Sequence, residues 1–172
     1  IVPGATAVTP LAFDHYPVSH SLAAVFGWAL ALGAVYLVIR RNLRNALVLA
    51  ALVVSHWLLD AIVHVPDLPL YPGAGTMVGL GAWSSLRLTV AVELPLFAVG
   101  VWLYMRTTRP IDRAGRWGFA GLVAFLLAIQ AGNLLGPPPP SMEAIAWVGQ
   151  AQWLLVLWGF WVDNHRRLTV RS

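Results

Sequence analysis

An all-α, multi-pass membrane bundle is the fold class this sequence predicts, and three observations carry it. Of 172 residues, 59% are hydrophobic and only 10% are charged, more apolar surface than a soluble domain of this size can keep from water. The apolar residues fall in five runs, each near the roughly 20 residues needed to cross a hydrocarbon core. The arginines, finally, gather at alternate ends of those runs, as the positive-inside rule requires.

Residues 1–17 read as a loop, because Pro3, Pro10 and Pro17 interrupt any long helix. The first span is expected over 18–39, ending at Arg40-Arg41, and the second over 43–65, ending at Pro66. Residues 66–82 are rich in proline and glycine and carry no lysine or arginine, which predicts an outer loop. The third span is expected over 83–105, followed by a basic loop with Pro110 and Asp112. The fourth runs over 116–135 and ends at Gly136 and the stiff turn Pro137–Pro140. The fifth runs over 142–162, with Ser141 placed to cap it and Glu143 suited to the positive end of its dipole. Residues 1–172 thus read as one transmembrane domain. Trp83, Trp117 and Trp161 stand near span ends as interfacial anchors.

All eleven basic residues are arginine. Arg40, Arg41 and Arg44 form one group, Arg106, Arg109, Arg113 and Arg116 a second, and Arg166, Arg167 and Arg171 a third. This distribution sets topology rather than a nucleic-acid surface. It predicts a plasma-membrane protein with Ile1 outside and Ser172 in the cytoplasm. A sixth span upstream of Ile1 would put the start of a longer protein in the cytoplasm. His165, beside Arg166 and Arg167, is expected in a solvated tail. No cysteine is present, which excludes thiolate ligands and cysteine nucleophiles.

Ionisable groups inside apolar runs are expensive and serve a purpose in most cases. His56, Asp60 and His64 recur every fourth residue near the outer end of the second span, within an arc of about 80° on a helix. His56 lies roughly 18 Å from the inner boundary, Asp60 roughly 24 Å and His64 roughly 30 Å. Glu93, in the third span, falls at roughly 20 Å, level with His56, and Arg87 at roughly 28 Å. Asp60 and Glu93 are therefore expected to face the bundle interior, and Arg87 to snorkel outward or pair with Asp60. His56 and His64 are about 12 Å apart along the axis, too far to share an ion whose bonds are about 2 Å long. Residues four apart can share one: His56 with Asp60, or Asp60 with His64. His15 and His20, just before the first span, are the most plausible source of further ligands, and imidazole with carboxylate suits zinc, iron or manganese. Ser19, Ser21 and Ser55 lack a nucleophile elbow, and Gln130, Asn133, Gln150 and Gln152 read as helix-bridging groups.

His15, four residues, then His20-Ser21, followed after a helical hairpin by Ser55-His56-Trp57-Leu58-Leu59-Asp60, resembles the bacterial membrane-bound metal-dependent hydrolases. The specific match covers about fifteen residues, and the family's upstream Pro-Asp-x-Asp-His element has no counterpart here. The resemblance implies a small inner-membrane protein in which His15, His20, His56 and Asp60 ligate a divalent metal, zinc among the candidates. A hydrolase of this kind would use Glu93 or Asp60 for proton handling and act on a lipid-linked or other membrane-proximal ester. Two other readings stand beside it. One is a non-catalytic subunit packed on membrane-protein partners; the other is a small transporter with Asp60 and Glu93 as a proton relay.

Overall fold

A computed structural model describes residues 1–12, 16–73 and 75–169. Among them the chain forms six α-helices, a 3-10 turn and four very short strands. Five helices are long and apolar enough to cross a membrane, and the chain is a multi-pass membrane protein of the all-α class. It divides into two compact units, Leu11–Thr89 and Ile1–Pro10 with Val90–Ser172.

The first unit is built on a helical hairpin. A one-turn helix, α1 (Pro17–His20), precedes the first span, α2 (Leu22–Arg40). The expected span start at residue 18 thus moves to 22. Pro17 opens α1 with a fixed φ, and Ser21 adopts an extended backbone that breaks the helix and lets its hydroxyl cap α2 by accepting from the Ala24 N–H. At the far end Arg41 takes a left-handed conformation (φ 49°), and Asn42 caps α3 (Leu43–Val63) through Asn45. Val25, Ala29 and Gly33 form the buried stripe of α2. A side chain on Gly33 would press on the Ala46 carbonyl at 3.3 Å and on the Ala50 methyl at 3.4 Å. Small residues here let two spans approach closely where lipid gives them no hydrophobic reason to associate.

The loop after α3 is ordered. Leu68–Pro69 (β1) pairs antiparallel with Met77–Val78 (β2), and Leu68 is wholly buried. The Leu80 N–H donates to the Ala61 carbonyl and the Gly81 N–H to that of His64, so the loop folds back on the end of α3. Leu70 accepts from the Ala23 N–H at the start of α2. The 3-10 turn Ala82–Ser84 leads into α4 (Leu86–Thr107), whose first turn is fixed by Thr89, buried and bonded to the Ala82 and Ser85 carbonyls.

In the second unit α4 continues through Pro95 to β3 (Thr108–Pro110). Asp112 caps α5 (Arg113–Leu135) through the Gly115 N–H, and Ser141 caps α6 (Met142–Asn164) through Ala144, as its position in the sequence suggests. The segment after α6 is not a solvated tail. Residues Arg166–Leu168 form β4, paired antiparallel with β3. The Arg166 guanidinium donates to the Thr108 hydroxyl, the Thr108 carbonyl and the Gly115 carbonyl, and lies 5.1 Å from the Tyr104 ring and 5.0 Å from that of Phe119. His165 pairs with Asp112 at 2.7 Å. The Gly115 N–H and His165 hold the Asp112 carboxyl below its ordinary value of 3.8, so this pairing stabilises the fold above that value and is lost as the pH falls below it.

Gly79 shows how tightly the loop is drawn onto α3: a Cβ there would collide with the backbone carbonyls of Val65 and His64. Gly79→Ala is expected to cost about 1–3 kcal/mol, the usual range for overpacking. Gly149→Ala, where a Cβ meets nothing within 4 Å, should be neutral or stabilising by about 1 kcal/mol. Thermal unfolding in detergent compares the two; equal effects would contradict this packing.

Candidate metal centre

Three side chains from two elements converge at the end of the hairpin away from the α2–α3 turn. Asp60, on α3, is 16% exposed, and its Oδ2 atom lies 3.0 Å from His56 Nε2 and 3.7 Å from His20 Nε2. The one helical turn between His56 and Asp60 supplies the first contact. The second depends on α1, which carries His20 back over the end of α3. The Trp57 indole N–H donates to the His20 carbonyl at 2.8 Å, holding α1 to α3. The Tyr16 hydroxyl donates to the Asp67 carbonyl, and the Tyr16 ring stands edge-on to His20 with centroids 4.8 Å apart.

The Ser19 hydroxyl orients the His20 ring: it lies 2.8 Å from His20 Nδ1 and 3.3 Å from the Tyr16 carbonyl, which leaves Nε2 facing Asp60. Burial also lowers the His20 imidazole below its ordinary 6.5; Asp60 opposes that shift, while His56 and His64 add to it. A neutral imidazole with a free Nε2 is the form that binds a metal. Tyr16, raised by burial and by Asp67, stays protonated.

Among the described residues, Asp60 Oδ2 is buried and has no hydrogen-bond partner. His56 Nε2 is near enough to bond it but is not aligned to do so, and His20 Nε2 stands 3.7 Å away. Such a buried oxygen costs about 1–3 kcal/mol, and a cation is the simplest group that relieves it. A tetrahedral ion with bonds of about 2.0–2.1 Å sets its ligand atoms about 3.3 Å apart; the two edges at Asp60, 3.0 and 3.7 Å, bracket that value. All three ligand atoms lie within 4.8 Å of one another.

Of the residues singled out in the sequence, His20, His56 and Asp60 are brought together. His15 lies outside the described residues. His64 is not part of the group: it is 4% exposed, paired with Asp67 at 2.9 Å and packed on Trp83 with ring centroids 4.6 Å apart. Arg87 is exposed and makes no ion pair with Asp60. Glu93 belongs to the second unit, where Gln130 of α5 donates to its carboxylate, a helix-bridging role of the kind expected for that glutamine. Ser21 and Ser55 serve the backbone, Ser21 as a cap and Ser55 by donating to the Leu52 carbonyl. Trp57, Tyr16 and Asp67 were given no role in the sequence, and Ser19 was weighed only as a nucleophile. The two aromatics each expose a polar atom to a backbone carbonyl, a contact with no signature in residue spacing.

Trp57→Phe should weaken the α1–α3 link by about 0.5–1.5 kcal/mol, the net worth of one hydrogen bond. Amide hydrogen exchange should then speed up over residues 17–21 and stay unchanged in α5 and α6. Unaltered protection of that segment would show that the indole does not hold it. No family model matches the chain, and neither a curated protein nor a solved structure matches it.

Proposed function

We propose that this protein is a membrane metalloprotein whose His20, His56 and Asp60 bind one divalent ion, and that it acts as a hydrolase on a membrane-proximal ester. The observation that carries the metal reading is the buried Asp60 oxygen, without a hydrogen bond and facing two imidazole nitrogens. Two nitrogens and one carboxylate oxygen are a donor set that zinc accepts while keeping a further position open, the pattern of catalytic rather than structural sites. The chemistry an ion supplies there is polarisation of a water or an ester carbonyl.

Around that ion the chain's own groups have distinct tasks. Ser19 orients the His20 ring through Nδ1, which leaves Nε2 toward Asp60, and Trp57 fixes the turn that carries it. Tyr16, kept protonated and donating to the Asp67 carbonyl, buttresses the His20 ring and does not act as a base. His56 is half exposed and opens the cluster to one side. Hydrolysis is the class of reaction suited to an open site with N and O ligands and no thiol. Placement in the plasma membrane, with the site on the outer face and Ser172 in the cytoplasm, belongs to the same proposal and is supported by the arginine groups.

Metal analysis of the purified protein tests this reading. The parent should carry about one zinc or similar ion per chain, and His56→Ala/Asp60→Ala about a tenth of that or less at unchanged helical content. Zinc should raise the melting temperature of the metal-stripped parent and leave that of the double variant unmoved. A double variant that keeps as much metal as the parent would remove the proposal, and a metal-free parent that copurifies with a membrane partner would favour the subunit reading.

A further inference from the structure

The second unit holds an electrostatic conflict that no acid among the described residues resolves. In the β3–β4 ribbon Arg109 stands directly opposite Arg167. Strand alternation sends Arg166 to one face, where Thr108 and Gly115 hold it, and Arg109 and Arg167 to the other, where both are exposed. Like charges facing each other across a ladder repel. Two residues beyond β3, the first turn of α5 carries Arg113 and Arg116 and no acid, although cations oppose the dipole at a helix N-terminus. None of these four arginines makes an ion pair among the described residues. The two acids nearby are engaged elsewhere, Asp112 with Gly115 and His165, Asp163 with Tyr104.

The place of this ribbon says what kind of anion reaches it. β3 follows directly on α4, β4 follows α6, and α5 begins just after β3, so three span ends meet at the ribbon. Trp102, stacked under Arg106 at 5.1 Å, and Trp117 and Trp161 are all exposed near those ends, and exposed tryptophan at span ends marks the headgroup layer. Topology alone accounts for arginines at this level. It does not account for two of them set face to face.

We propose that Arg109 and Arg167, supported by Arg113 and Arg116, bind the phosphoryl group of an anionic phospholipid headgroup at this membrane surface. A guanidinium fork engages phosphate oxygens in pairs, and one phosphate shared by Arg109 and Arg167 converts their repulsion into common attraction. Free phosphate offers the same chemistry, but the bilayer holds its phosphates at the depth of the tryptophans. The site is independent of the metal cluster, which lies in the other unit.

The protein in nanodiscs of phosphatidylcholine, with and without phosphatidylglycerol, tests this. Phosphatidylglycerol should raise the melting temperature of the parent, and native mass spectrometry should find it retained in preference to phosphatidylcholine. Arg109→Gln/Arg167→Gln should lose about fivefold in lipid affinity for each arginine removed. In pure phosphatidylcholine the same variant should be as stable as the parent or more so, because the repulsion is gone. Arg109→Lys/Arg167→Lys should retain most of the preference, which separates loss of charge from loss of fold. Equal retention of phosphatidylglycerol by the parent and the Gln variant would overturn the proposal. Equal stabilisation by inorganic phosphate in neutral nanodiscs would assign a free anion instead, and would also overturn it.

Discussion

The cluster at the open end of the first hairpin depends on one hydrogen bond, from the Trp57 indole to the His20 carbonyl. Asp60 and His56 would meet on any regular helix, since they are one turn apart. His20 has no such guarantee. It reaches them because Ser21 ends one helix and caps the next, so that α1 turns back over α3 instead of prolonging α2. Trp57, next in sequence to His56, then ties that turn to the same helix that presents the other two groups. The three groups are thus positioned by neighbouring residues of two short elements.

The same economy appears in the connections. Close approach of α2 and α3 at Gly33, the fold-back of the loop against the carbonyls of Val65 and His64, and the Arg166 anchor under β3 all tie short segments to span ends. In lipid, apolar side chains gain little by meeting one another, so backbone contact and polar anchors carry more of the specificity than they would in water. His64 illustrates this. Buried beneath the loop with Asp67 and Trp83, it joins the loop to α3, and a residue of ligating type is used for structure within a few residues of the candidate centre.

Much of this was legible in the sequence, and the limits have physical causes. The five spans follow from apolar length and arginine placement, and the structure shifts their ends by only a few residues. The pairing of His56 with Asp60 follows from helical spacing. The break at Ser21 was harder to see, because a serine between two apolar stretches reads equally well as the interior of one span; only its capping bond to Ala24 decides. The ordered loop and the β3–β4 ribbon were missed because proline, glycine and arginine signal turns and topology, not which backbone groups pair. The role of Trp57 rests on its N–H, which meets the His20 carbonyl. No spacing rule carries that information, since the two residues are far apart in the chain and belong to different elements.

Whether these three side chains hold an ion together is measured most directly by X-ray absorption at the zinc edge, on protein loaded with one equivalent of zinc. Two imidazole nitrogens at about 2.0–2.1 Å and a carboxylate oxygen at about 2.0–2.2 Å, with one imidazole lost in His20→Ala, is the expected result. A shell made only of water and carboxylate oxygens, or one unchanged by removing His20, would contradict it.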